Sequence, residues 1–177
     1  HMGASGPKRN FNKIVKSNIL KLKSMFLKLK KVKIKSKNSL LSPVSSYYMI
    51  DEKMNRAYIE LAKSSGLINL SKNDRNPLYT STYGTGIEIN DAIKKGVKEI
   101  FIGIGGSSTN DLGLGIFSAL GVIFLDKYNN EIIPTGSNLF KISKLIISNS
   151  CENKIKKVKF IGKSKKIAQT LIAEIEG

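Results

Sequence analysis

The sequence predicts an α/β fold in which a parallel or mixed sheet is flanked by helices. Three observations carry this. Val97–Ile104 is a short, continuous apolar run with the length and β-branched content of a buried strand. It passes directly into a glycine-rich turn, Gly105-Gly-Ser-Ser-Thr-Asn-Asp, and then into an apolar helical stretch that ends near Leu120. Upstream, Lys31-Val-Lys-Ile-Lys-Ser-Lys alternates apolar and charged residues with period two, the pattern of a strand with one solvated face near a sheet edge.

The elements follow in chain order. Residues 1–6, HMGASG, read as an expression scar. Lys8–Leu29 places Phe11, Ile14, Val15, Leu22, Met25, Phe26 and Leu29 at spacings of three and four between lysines, which predicts a basic amphipathic helix. Asn38–Tyr47 reads as a turn into a second strand, and Asn55–Lys63 as a strand followed by a short helix or turn that ends at Ser64-Ser-Gly. Asp74-Arg-Asn-Pro-Leu is a turn, because Asn and Asp bond their own backbone and Pro77 restricts Asn76.

A helix is expected from Glu88 to Lys95, capped by Gly96, then the strand Val97–Ile104 and a helix Asn110–Leu120. Gly121–Leu125 gives a further strand, and the turn Asp126–Asn130 leads into Glu131–Ile133. Lys144–Ile147 and Lys157–Ile161 read as strands and Ile167–Ile175 as a terminal helix. The chain thus divides into the scar (1–6), a basic N-terminal helix and strand (7–37), an α/β domain (38–162) and a C-terminal helix (163–177).

Composition removes several kinds of chemistry. The 177 residues suit one domain or one lobe of a larger enzyme. The lone histidine, His1, lies in the scar, which excludes a Ser-His-Asp triad or a histidine metal site. One cysteine, Cys151, excludes an internal disulfide and a cysteine zinc site, and fits a cytoplasmic setting. The apolar runs fall short of the roughly 18–20 residues that a membrane span needs. The net charge of +17 is concentrated in Lys8–Lys37, since every carboxylate lies beyond position 50. Translation of an AT-rich gene accounts for much of this lysine excess, and a functional basic arm is the other reading.

The glycine-rich turn is where the chemistry concentrates. A strand that ends in Gly105 and Gly106 ahead of a helix offers free backbone N–H groups to a phosphate or carboxylate. Ser107, Ser108 and Thr109 add hydroxyls, and Asn110 can cap the helix or hold a substrate hydroxyl. Asp111 is the one carboxylate placed to hold a metal ion or accept a proton. A purely packing role for the same turn stays open, because glycines after strands also seat helices against sheets. The turn is not a Walker A loop, and its polar run interrupts any dinucleotide fingerprint.

The segment Gly103-Ile-Gly-Gly-Ser-Ser-Thr-Asn-Asp-Leu-Gly-Leu-Gly resembles the loop of bacterial two-domain glycerate kinases, Gly-Ile-Gly-Gly-Ser-Ala/Ser-Thr-Asn-Asp-Gly-Gly-x-Gly. Arg75-Asn-Pro-Leu, Thr82-Tyr-Gly-Thr-Gly, the strand entry Gly96–Ile104 and Ala119-Leu-Gly-Val-Ile-Phe-Leu-Asp match the family in order and spacing. Weaker similarity takes in Leu41-Ser-Pro-Val and Ala57-Tyr-Ile-Glu-Leu-Ala-Lys-Ser-Ser-Gly-Leu, so that Val32 to Ser148 is covered.

The resemblance implies one lobe of the two-domain glycerate kinase fold and transfer of the γ-phosphate of ATP to D-glycerate, with Mg2+. It implies that Gly105, Gly106, Ser107, Ser108, Thr109 and Asn110 line the substrate or phosphate site. Asp111 would have a catalytic or metal-binding role, Tyr83, Gly84, Thr85 and Gly86 a second wall, and Arg75 the neutralisation of an anion. Leu112 and Leu114 depart from the family, which has Gly and a small residue there, and the terminal segments that complete the nucleotide lobe are not matched. Autonomous turnover by a chain of this length is therefore in doubt. The expected partners are D-glycerate and ATP, with self-association through Lys31–Lys37 or Lys8–Leu29 a further expectation. The alternative is a non-catalytic α/β module whose basic arm binds nucleic acid or an acidic partner. Only Phe11 and Phe26 are there to stack on bases, which argues against nucleic acid.

Overall fold

The computed structural model describes residues 29–162. The predicted helix Lys8–Leu29, apart from its last residue, and the predicted helix Ile167–Ile175 lie outside them.

Five strands form the main sheet: β1 (Lys30–Lys37), β2 (Pro43–Asp51), β3 (Arg56–Glu60), β4 (Glu99–Gly103) and β7 (Lys159–Gly162), in the order β1-β2-β3-β4-β7. β1, β2 and β3 are antiparallel neighbours, whereas β3, β4 and β7 run parallel, so the sheet is mixed. β1 is an edge strand, as its alternation predicts: Lys31, Lys33, Lys35 and Lys37 are exposed, and Val32, Ile34 and Ser36 turn inward. It pairs with β2 along its whole length, from Lys30↔Ile50 to Lys37↔Pro43, and so belongs to the same sheet as the rest. A second, two-stranded sheet joins β5 (Ile123–Leu125) to β6 (Lys144–Ile146).

One face of the main sheet is the core. Tyr48 and Ile50 of β2, Ala57 and Ile59 of β3, and Ile100 and Ile102 of β4 point into it. Three helices cover that face: α2 (Tyr83–Lys94) with Ile89 and Ala92, α3 (Leu114–Leu120) with Ile116 and Leu120, and α4 (Asn149–Lys156) with Cys151 and Ile155. A one-turn helix, α1 (Ala62–Ser65), follows β3. The alternation of buried and half-buried residues along β3 and β4 is that of strands packed mainly through one face.

Three expectations change. α2 begins at Tyr83 rather than Glu88, so Tyr83-Gly-Thr-Gly is the first turn of the helix rather than the segment that introduces it. α3 begins at Leu114 rather than Asn110, because residues 111–113 form a turn in which Leu112 and Gly113 take the left-handed conformation, φ +55° and +79°. α4 is a helix that no sequence pattern had marked. Ser148 starts it by accepting a hydrogen bond from the Cys151 N–H at 3.2 Å, and Glu152 pairs with Lys156 one turn on.

Candidate functional site

The loop Gly105–Asn110 leaves the carboxyl end of β4, beside the end of the parallel strand β3, which is where open α/β sheets carry their ligands. Its anchors come from three directions. On the α1 side, the Ser108 N–H donates to the Ser65 carbonyl at 3.0 Å and the Leu67 N–H to the Gly106 carbonyl at 3.1 Å. On the Pro77–Thr80 side, the Thr80 hydroxyl donates to the Ser108 carbonyl at 2.8 Å. From the β1–β2 turn, Ser39 accepts a hydrogen bond from the Ser108 hydroxyl at 2.8 Å. The same hydroxyl reaches the Ser65 carbonyl at 2.9 Å.

Ser108 is therefore buried and committed to the scaffold. The Ser107 and Thr109 hydroxyls bond each other at 2.9 Å and keep partial exposure, while Gly105 and Asn110 are exposed. A Cβ built on Gly105 would touch nothing within 4 Å, so the open space over this residue belongs to whatever approaches the loop.

Asp111 is 1 % exposed and its carboxylate is encircled by donors. Oδ2 accepts from the Thr82 N–H at 2.7 Å, the Thr82 hydroxyl at 2.8 Å, the Gly115 N–H at 3.1 Å and the Ser81 hydroxyl at 3.3 Å. Oδ1 accepts from the Gly113 N–H at 3.2 Å. This carboxylate clasps the entry of α2 to the entry of α3, and it takes up the free N–H groups that a helix start would otherwise present to an anion. The binding capacity left to the loop lies in its own backbone and hydroxyls rather than in a helix terminus.

The other residues singled out from the sequence separate. Gly84, Thr85 and Gly86 are buried in α2: a Cβ on Gly84 would stand 1.9 Å from the Lys37 carbonyl oxygen, and one on Gly86 2.6 Å from the Ala119 Cβ. The glycines serve close packing of α2 against the end of β1 and against α3. Thr85 bonds the Ser64 and Ser65 hydroxyls at 3.1 and 2.9 Å. Tyr83 is half-buried at the helix start, with the Lys37 ammonium 5.4 Å from its ring centre. Arg75 is exposed and makes no ion pair or side-chain hydrogen bond among the described residues. Leu112, 71 % exposed, stands at the loop's rim in a left-handed turn, strained by its Cβ where glycine would be at ease.

Sequence reasoning missed Ser39, Ser65, Thr80, Ser81 and Thr82, which hold the loop and its clasp. Small hydroxylated residues carry no periodic signal, and their role depends on contacts between segments distant in the chain.

The family model for the glycerate kinase family matches residues 21–165, a span that holds the loop, its anchors and every described strand. The chain belongs to the glycerate kinase family. Among curated relatives, the glycerate kinase of Halalkalibacterium halodurans is 41% identical over 126 residues, 71% of this chain and 33% of that protein. The glycerate 2-kinase of Escherichia coli is 44% identical over 92 residues, 52% of this chain and 24% of that protein. A crystal structure from Salmonella typhimurium LT2, assigned as a glycerate kinase 2, superimposes with a TM-score of 0.71 at 26% identity, covering 84% of this chain and 46% of that one. The chain thus spans about a third or less of these curated glycerate kinases and just under half of the solved one, and the α/β lobe described here is a central part of the family fold.

Proposed function

We propose that this lobe is the substrate-holding part of an ATP-dependent glycerate kinase, a phosphotransferase that moves the γ-phosphate of ATP to a hydroxyl of D-glycerate. The observation that carries the reading is the family loop Gly105–Asn110, held at the carboxyl ends of parallel strands with its glycine face open and its scaffold side fully bonded. In the reaction, a D-glycerate hydroxyl oxygen bonds to the γ-phosphorus as the bond to the ADP oxygen breaks, and the hydroxyl proton is released. Such transfer rests on position and charge neutralisation, and backbone N–H groups held in place beforehand serve both.

In this reading Gly105 and Gly106 let an anionic oxygen approach the backbone, Ser107 and Thr109 supply hydroxyl donors, and Asn110 binds a substrate hydroxyl. Arg75 and Tyr83 lie outside the loop, Arg75 to neutralise the anion's charge and Tyr83 to form part of a second wall. Asp111 is a positioning residue, because five donors already enclose its oxygens. It does not fit a magnesium ligand in this arrangement, so Mg2+ enters with the nucleotide and no residue of this lobe is assigned to it. The family's remaining segments would complete the nucleotide side, in a cytoplasmic enzyme.

The test is ATP turnover that depends on D-glycerate, compared between the chain and Gly105→Ala. That variant fills open space and should melt with the parent, yet its methyl stands where a phosphate or carboxylate would approach. A loss of glycerate-dependent turnover of at least about tenfold with unchanged melting supports the reading. Equal turnover in both would remove the loop from the site. If this chain is silent alone, the same comparison is read from the chemical shifts of the Gly105–Asn110 amides on titration with D-glycerate and with phosphate.

A further inference from the structure

The strand β3 ends in Glu60, a residue of the family-like segment Ala57-Tyr-Ile-Glu-Leu-Ala to which the candidate site gives no role. In the parallel register Glu60 stands opposite Gly103, the last residue of β4, and partners in register share a face of the sheet. A Cβ built on Gly103 would lie 3.8 Å from the Glu60 Cγ, so the glutamate stem runs beside that bare position. Ile100, Ile102 and Ile104 turn to the core, which puts Gly103 and Gly105 on the opposite face, with Glu60. Nothing stands within 4 Å of a Cβ on Gly105. Two residues of strand rise about 6.6 Å, so Glu60 and the open face of Gly105 border one space that a single small molecule can bridge.

The Glu60 carboxylate is not spent on the fold. Oε2 is buried without a hydrogen-bond partner. None of the four ion pairs among the described residues includes Glu60, and the nearby Lys63 ammonium sits over the Tyr47 ring, 4.7 Å from its centre. Burial pushes the Glu60 carboxyl above its ordinary value, with Lys63 opposing, as befits a charge short of donors. Asp111 is the opposite case, with five donors on its two oxygens. A bare carboxylate beside a loop that takes an anion repels that anion unless the ligand brings a donor of its own. A hydroxy acid meets both demands: its carboxylate faces the loop N–H groups and its hydroxyl donates to Glu60.

We propose that Glu60 is the specificity-determining residue of the loop site, accepting a hydrogen bond from a hydroxyl of D-glycerate and repelling anions that lack one. The inference rests on the reading of the loop as the glycerate site. Titrations of the whole chain near pH 8, followed by the amide shifts of residues 103–110, compare D-glycerate with propionate, the same carbon chain without hydroxyls. The parent should bind D-glycerate at least about tenfold more tightly. Glu60→Leu should bring the two acids within about threefold of each other, glycerate weakening as propionate gains, because an acceptor and a repelling charge leave together. Glu60→Gln keeps the shape and an acceptor but not the charge, and should narrow the ratio at least about twofold; it carries the test if the leucine variant does not fold. Damage to the fold would weaken both acids alike and leave their ratio as it was. A ratio unchanged in the folded variants overturns the proposal, and the loop reading survives that result if Gly105→Ala abolishes the glycerate shifts. A parent that binds both acids equally also overturns it. A parent whose loop amides respond to neither acid overturns it together with the loop reading.

Discussion

Glu88 is fully buried in the middle of α2, and neither of its carboxylate oxygens has a hydrogen-bond partner. Burial raises its pKa to about 7; the nearby Ser46 and Ser64 hydroxyls and the Lys63 ammonium oppose this and do not cancel it. The consequence for stability has a definite sign. Below 4.5, its ordinary value, Glu88 is protonated in both folded and unfolded chains and costs nothing as a charge. As the pH rises from there to about 7, the unfolded chain releases the proton first and folding stability falls; above about 7 the loss is complete and constant. A shift of that size corresponds to a loss of roughly 3 kcal/mol. Glu88→Met should therefore raise stability at pH 8 by about 2–3 kcal/mol and flatten the slope between pH 5 and 7, read from urea unfolding at several pH values. An unchanged slope would show that the carboxylate is ionised in the folded chain at little cost.

The sequence placed Glu88 at a helix start, where a carboxylate is at home, and only the earlier beginning of α2 puts it on the core face. Asp111 shows the same limit of pattern reading. Its conspicuous place in the loop suggested a ligand, while the segments that would claim its oxygens, Ser81-Thr82 and Gly113–Gly115, could be seen to converge only in three dimensions.

At the scale of elements, what was legible had a period or a punctuation mark. The alternation of β1, the apolar run of β4 and the Asn76-Pro77 turn all appear where the sequence puts them, the last with the Asn76 side chain accepting from the Leu78 N–H. α4 escaped notice because it buries only Cys151 and Ile155 of its eight residues; the Ser148 cap and the Glu152–Lys156 pair were the available signals. α2 was shortened by its glycines, which weaken a helix by about 1 kcal/mol each relative to alanine. Packing reverses that preference. A Cβ on Gly86 would lie 2.6 Å from the Ala119 Cβ and 2.7–2.8 Å from the backbone of Ile116, and a helix backbone cannot yield as a flexible side chain does. Gly86→Ala gains about 1 kcal/mol of helix propensity and loses about 3 by forcing α2 and α3 apart, so a net destabilisation of about 2 kcal/mol is expected in urea unfolding. A neutral or stabilising outcome would mean that the two helices approach less closely than the structure shows.

For the whole molecule, the balance of charge decides how the solvent acts on the fold. The chain has 30 basic and 13 acidic side chains, a net +17. Among the described residues four ion pairs form, and Lys30–Glu52 and Lys156–Glu152 are largely exposed, so they contribute little. Repulsion among the unmatched lysines acts over distances that salt screens, since the screening length falls from about 10 Å at 0.1 M to about 3 Å at 1 M. Raising sodium chloride from about 50 to about 500 mM should therefore stabilise the fold and raise the melting temperature by about 2–5 °C. A falling melting temperature would show that attractive ion pairs outweigh the repulsion. Phosphate at equal ionic strength separates screening from binding. Any additional rise it gives above chloride, if abolished by Gly105→Ala, is the contribution of the loop, because that substitution leaves the net charge unchanged and alters only the space over the glycine.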